Sequence, residues 1–312
     1  MDLTTIARDG VFPTATAARF GIDAAALRRL IRAGACSRLR PGWYACGVPA
    51  TEPDRWRLRV AAAGQEYEGR AVLSHDAALL RLGLPTFHPE LTRVDLTWVD
   101  PSVPAHLGRW VRLHSTPVRA ASGDAGAATA SGTVDAALAV AQVGLRSRRA
   151  LLVAGDAALR TGAATREGIE AALVTLDGHR GIVAARAAAH RLQPLHESPG
   201  ESLTAWLLHQ LGYPLIAQFE VPGSADLTAS GWPDRADFLV EGTRVLVEFD
   251  GKVKYTGRDV LFAEKQREDR IRSLGFEVVR LTWADLANPE RVRALLEAAL
   301  ARSASRHGRR TA

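Results

Sequence analysis

At 312 residues the chain exceeds what one hydrophobic core usually supports, ~250 residues, so two or three domains are expected. A chain that is 47% hydrophobic and 24% charged is neither fibrous nor wholly disordered. The formal net charge of +6 is placed unevenly: residues 1–50 carry +4, Arg302, Arg306, Arg309 and Arg310 another +4, and the remainder −2.

Positive charge at both ends points to a polyanion partner, most simply DNA. The opening MDLTTIARDG lacks the basic start and apolar run of a signal peptide. No apolar stretch approaches the ~20 residues that cross a bilayer. A soluble, cytoplasmic protein without a membrane partner is therefore expected. The two cysteines, Cys36 and Cys46, lack metal-ligand spacing and flank a predicted hairpin. A bridge between them is geometrically conceivable, but a reducing compartment favours two free thiols.

The first 50 residues predict a helix over Leu3–Arg8 and a second over Thr14–Phe20, closed by Gly21. Asp23 is an N-cap for AAALRRLIRAGA, whose apolar positions include Leu27, Leu30 and Ile31. CSRLRPGWYAC then predicts two strands turned at Pro41-Gly42. This is the order of a winged helix-turn-helix. Arg28, Arg29 and Arg32, at i, i+1 and i+4, put at least two cations on one helix face, and Arg38 and Arg40 alternate along the wing strand. These five are the candidate DNA contacts of the module.

The middle region, 51–190, predicts an α/β arrangement. Asp54–Gln65 and Ser74–Leu82 are helical, LTRVDLTWV and GRWVRLHST are strands, and Ala121–Gly132 is a small-residue linker. Helices follow over Val134–Val143, Arg149–Arg160 and Arg166–Leu176. Ser74-His75-Asp76 offers the residue types of a catalytic triad. Consecutive residues on one helix diverge by about 100°, so they predict an N-cap followed by ordinary polar positions.

From residue 191 to 303 the order is clearer. Ser198-Pro199-Gly200-Glu201 opens a helix that Gly212 stops. AQFEV is a strand, and ADFLV and TRVLVEF form a hairpin around Glu241-Gly242. After DGKVKYTG come an amphipathic helix over Arg258–Leu274, the strand FEVVRLT and a helix within Asn288–Ala301. Residues 304–312 form a basic tail. The expected order is α-β-β-β-α-β-α.

Asp237 falls on the second of these strands, and Glu248 and Asp250 at the end of the third. Carboxylates converging on one strand end need a cation, and oxygen donors select Mg²⁺ or Mn²⁺. Such an ion activates a water and stabilises charge on a scissile phosphate. Of 40 basic residues only Lys252, Lys254 and Lys265 are lysines, and all three lie beside this cluster. A compact ammonium that shifts its pKa readily suits chemistry there. Lys265, Arg267 and Arg270 on the following helix are candidate phosphate contacts.

ADFLV, LVEFDGKVKY, AEKQREDRIRSLG and FEVVRLTW together resemble the very-short-patch-repair-like endonuclease branch of the PD-(D/E)xK superfamily, over about 110 residues. The resemblance implies a restriction-endonuclease-like domain, with Asp237, Glu248 and Asp250 as ligands of Mg²⁺ and Glu201 as an outer acidic member. The motif's lysine position, two after Glu248, holds Asp250, so Lys252, Lys254 or Lys265 would replace it. DGVFPTATAARFGIDAAALRRLIRAGACSRLRPGWYA, continued by SHDAALLRLGLP, is similar to the winged-helix part of AbiEi-type antitoxins. That similarity implies DNA binding, autoregulation of an operon, and a cognate toxin or self-association. The two resemblances imply different functions. One is a Mg²⁺-dependent endodeoxyribonuclease guided by its winged helix, the other an antitoxin-like autorepressor carrying a catalytically silent nuclease fold.

Overall fold

The computed structural model describes residues 2–116, 132–228, 230–251 and 258–308. Lys252, Lys254, Arg309, Arg310 and residues 121–131 of the expected linker lie outside the described residues. The chain is a mixed α/β protein of two compact units, residues 1–158 with 163–190, and 191–312 with 159–162.

The first unit opens with a 3-10 turn, Leu3–Thr5, in place of the longer helix expected there. Asp2 caps it by accepting from the Thr4 amide. Strand β1, Val11–Pro13, is an element the sequence pattern did not reveal; α1, Thr14–Arg19, and α2, Ala24–Arg32, follow as expected. Asp23 caps α2 through the Ala26 amide, as its position implied. Strands β2, Cys36–Arg40, and β3, Trp43–Cys46, pair antiparallel and β3 also pairs with β1, giving the order β1-β3-β2. Cys36 and Cys46 are register partners on β2 and β3 and both are free thiols.

One face of this small sheet closes on its own helices through Phe12, Ala17, Ile22, Leu27 and Cys36. The other face, with Val11, Leu39, Trp43 and Ala45, packs on Ala62 of α3, Glu52–Glu66. The N-terminal module and the middle region are thus one compact body rather than two domains meeting at residue 50.

Helix α3 also covers a second sheet, burying Trp56, Val60 and Ala63 against Leu73, Val94, Leu96, Val111 and Leu113. Its strands are β4, Ala71–Leu73, β5, Val94–Trp98, β6, His106–Leu107, and β7, Val111–His114, in the order β4-β5-β7-β6. Only β5 and β7 are parallel. Helix α4, His75–Arg81, leaves β4, and α5, Ala136–Arg146, packs on it. Then come α6, Arg148–Thr161, α7, Arg166–Thr175, and α8, Ile182–Ala189; α8 follows Gly181 and was not foreseen within its alanine-rich stretch.

The second unit follows the expected order. Helix α9, Pro199–Gln210, has Ser198 as its N-cap and Pro at its start. Strands β8, Leu215–Glu220, β9, Arg235–Val240, and β10, Val245–Phe249, form an antiparallel meander. Helix α10, Arg258–Ser273, then returns the chain to β11, Glu277–Leu281, parallel to β10, so the sheet reads β11-β10-β9-β8. A short α11, Trp283–Leu286, and α12, Pro289–Gly308, complete it; α12 continues through the start of the expected tail. Val245, Leu246 and Val247 are fully buried, as a continuous apolar run in a central strand requires. Leu246 meets Ile271 of α10 and Phe276, while α9 and α12 also pack on β10.

The start of α9 is fixed against the end of β10 by one close approach. A Cβ on Gly200 would lie 2.0 Å from Cε1 of Phe249, whose ring also meets Trp283 edge-on at 4.8 Å. Gly200→Ala is expected to destabilise the second unit by about 1–3 kcal/mol through overpacking, although alanine is the better helix former. The urea midpoint of the variant measures this.

Candidate functional site

The antiparallel register sets Leu246 opposite Leu239 and Val247 opposite Phe238, and one more step sets Glu248 opposite Asp237. On the other side Glu248 is the register partner of Arg280 on β11. Between β8 and β9, Ala217 faces Phe238 and Phe219 faces Ala236, which places Gln218 at the level of Asp237. Gln218, Asp237, Glu248 and Arg280 therefore form one polar row across the four strands of the sheet. Opposed residues share a face, so the row is a continuous chemical feature.

Each member is held. An Asp237 carboxylate oxygen accepts from the Phe249 amide at 2.7 Å, where the strand ladder opens. Glu248 accepts from Arg267 at 2.6 Å and pairs with Arg280 at 3.5 Å. Gln218 adopts a left-handed backbone, φ 52°, inside a strand, and its side-chain amide donates to Glu201 at 3.0 Å. Glu201, 7% exposed at the first turn of α9, also accepts from the Glu197 amide at 2.8 Å. Ser198 caps Glu201's own amide, but the Glu201 carboxylate does not return to the Ser198 amide as in a capping box; it accepts from Glu197 and Gln218. Burial pushes the Asp237 carboxyl up to about 6, and the Glu201 and Glu248 charges add to that rise.

Asp250 lies just past the strand end, half-buried, with its amide donating to the Leu281 carbonyl at 2.8 Å. Asp237, Glu248 and Asp250 do not close into a ligating set of three in this structure. Among the described residues, that geometry belongs to His75, Asp95 and His114, whose ligand atoms lie within 4.8 Å of one another and can hold a metal ion. Nothing in the spacing of these residues along the chain announces the group; β5 and β7 bring Asp95 and His114 together, and the turn from β4 into α4 adds His75. Ser74 is the N-cap residue of α4 as expected, but its hydroxyl makes no cap bond and lies 3.1 Å from His75 Nδ1.

The basic residues divide into two groups. Arg28, Arg29, Arg32 and Arg38 are exposed on α2 and β2, as a polyanion-binding surface needs, and Lys265 is exposed on α10. Arg40 is turned inward: the register shifts between Arg38 and Arg40, breaking their alternation, and Arg40 pairs with Glu66 of α3. Burial lowers its pKa. Arg267 and Arg270 are half-buried; besides Glu248, Arg267 donates to the Arg235 carbonyl at 2.7 Å, and Arg270 holds Asp234 at 3.0 Å. Arg302 and Arg306 both pair with buried Glu277. These five arginines are engaged within the fold rather than offered as free cations.

No helix among the described residues is long and apolar enough to cross a membrane. Comparison of the chain with family models, curated proteins and solved structures gave no match.

The raised Asp237 carboxyl sets a pH dependence. Its ordinary value is 3.8 and its folded value about 6, so the folded state binds the extra proton and stability falls as pH rises through that window. In metal-free buffer Asp237→Asn is expected to flatten the loss between pH 4 and 6, because the amide oxygen still accepts from Phe249. The gain at neutral pH is ~1–2 kcal/mol, after discounting for partial exposure. Thermal melts of both proteins across this range provide the measurement.

Proposed function

We propose that this chain is a DNA-binding protein whose second unit hydrolyses DNA phosphodiester bonds with a divalent cation, Mg²⁺ or Mn²⁺, at Asp237 and Glu248. One observation carries the reading: the Gln218–Asp237–Glu248–Arg280 row crosses all four strands of the sheet, with Glu201 joined to it through Gln218. Apolar pairs at those positions would stabilise the sheet more simply, so the row calls for a role beyond folding.

The donor set fits a hard cation. Asp237 and Glu248 present carboxylate oxygens from adjacent strands, and Asp250 is the third acid at the same strand end. When bound, such an ion neutralises charge on a scissile phosphate and makes a water more acidic. The chain's own residues do the positioning. Glu201 is fixed by Gln218 and the Glu197 amide, and Arg267 and Arg280 hold Glu248 by both oxygens. Lys265 is the described member of the lysine cluster, and the exposed arginines of α2 and β2 supply sequence-independent DNA affinity.

A second reading has its own observation. Arg267 and Arg280 already neutralise Glu248, which is the work a cation would do. In that case the chain is an AbiEi-type antitoxin or transcriptional autorepressor with a silent nuclease fold, partnered by a cognate toxin or a second copy.

Supercoiled plasmid incubated with the full chain and Mg²⁺ or Mn²⁺ separates the two. Nicking is expected from wild type, lost in chelator and reduced at least ~100-fold by Glu248→Gln. A folded wild type that binds plasmid without nicking it leaves the repressor. In gel shifts, Arg28→Ala with Arg29→Ala is expected to weaken binding across all sequences and lower the salt slope by about 2. An unchanged slope removes α2 from the interface.

A further inference from the structure

We propose that His75, Asp95 and His114 form a second, separate metal site in the first unit, taking a divalent transition ion: Zn²⁺, or Co²⁺ and Ni²⁺ in its place. Their ligand atoms already lie within 4.8 Å of one another. His114 Nε2 is 2.8 Å from Asp95, and the two imidazole rings stack at 4.2 Å with an interplanar angle of 26°. Two imidazoles and a carboxylate gathered this closely are the donor set of a transition-metal site.

The frame around the three residues is rigid. Asp95 and His114 stand on the neighbouring parallel strands β5 and β7. His75 is the first residue of α4 and has φ 52°, a left-handed conformation that residues with a Cβ rarely adopt. Its amide is held there by the buried side chain of Gln142, at 3.1 Å. Strain kept in place by a buried partner marks a position fixed for something other than folding. Ser74 holds Nδ1 of His75, and the ring's other nitrogen has no hydrogen-bond partner among the described residues. It is the nitrogen left to bind.

Three arginines, Arg93, Arg112 and Arg146, surround three acids, Glu90, Asp76 and Asp95. Arg112 and Arg146 hold the Asp95 carboxylate at 3.3 and 3.1 Å and fix its orientation, as outer partners of metal ligands do. Each also reaches a further acid: Glu90, shared with Arg93, pairs with Arg112 at 2.7 Å, and Asp76 with Arg146 at 3.4 Å. One Asp76 oxygen is buried with no hydrogen-bond partner among the described residues. Two imidazoles and one carboxylate select Zn²⁺, Co²⁺ or Ni²⁺ over Mg²⁺, and three protein ligands leave a coordination position open. The donor chemistry thus separates this site from the all-carboxylate row of the second unit.

The test uses the tag-free full chain, stripped with chelator and titrated with Co²⁺. One equivalent is expected to produce visible d–d bands that Zn²⁺ abolishes and excess Mg²⁺ does not. The bands are expected to persist in the double variant Asp237→Asn with Glu248→Gln, which assigns them to the first unit whatever becomes of the proposed nuclease. His114→Ala, at the half-exposed ligand, is expected to weaken binding by at least ~10–100-fold, and Asp95→Asn comparably. A wild type that takes up no Co²⁺ or Zn²⁺ overturns the proposal. So does unchanged binding by either folded variant, or loss of the bands in the second-unit double variant. Should both variants unfold, proton NMR of the Co²⁺-loaded wild type decides: two strongly shifted imidazole N–H signals support the site, and their absence overturns it.

Discussion

Charge taken out of water must meet opposite charge at short range, and this constraint organises both units. Buried Glu277 is held by Arg302 and Arg306, buried Asp234 by Arg270 and Arg267, and buried Asp95 by Arg112 and Arg146. In each case the partner comes from another element, so the pairs fix how helices and strands meet. The heavy use of arginine suits this work, since a planar guanidinium with five donors can serve two acceptors at once. Arg267 shows it, reaching Glu248 and the Arg235 carbonyl together. Such pairs add little net stability over an apolar core, but removing one partner strands the other.

The same logic bears on the N-terminal module. Its three-stranded sheet is covered on one face by α1 and α2 and on the other by α3, which itself covers the next sheet. The exposed arginines of α2 therefore stand on a platform shared with the middle region. The Arg40–Glu66 pair joins β2 to α3, and Arg8–Glu68 links the segments just before β1 and just after α3.

Much of the fold was legible in the sequence where local chemistry agrees with tertiary need. Asp23 and Ser198 cap the helices their positions implied, and the Val245–Val247 run is the buried central strand. The α-β-β-β-α-β-α order of the second unit follows from punctuation by Gly212, Gly242 and Gly275, each at positive φ. What escaped was set by partners remote in sequence. Strand β1 has three residues and exists because β3 lies beside it. Arg38 and Arg40 looked equivalent by alternation until a register shift turned one inward. Asp237 and Glu248 were legible as neighbours through the hairpin, yet the arginine hold on Glu248 depends on α10 and β11, which no spacing rule reaches. The His75–Asp95–His114 group was hidden for the same reason: its members are unremarkable one by one, and only the β5–β7 pairing brings two of them together.

Gln218 shows what such positioning demands of a sequence. Its backbone sits where glycine is at ease and a side chain is not, in the middle of a strand whose neighbours are extended. Glycine there would relieve the strain and give a more comfortable protein, but one in which Glu201 loses the amide that aims it. Thermal robustness and carboxylate placement thus pull this one position in opposite directions. A lineage or a laboratory screen selecting for heat resistance alone would drift toward glycine at residue 218, and would show by that drift what the glutamine is for.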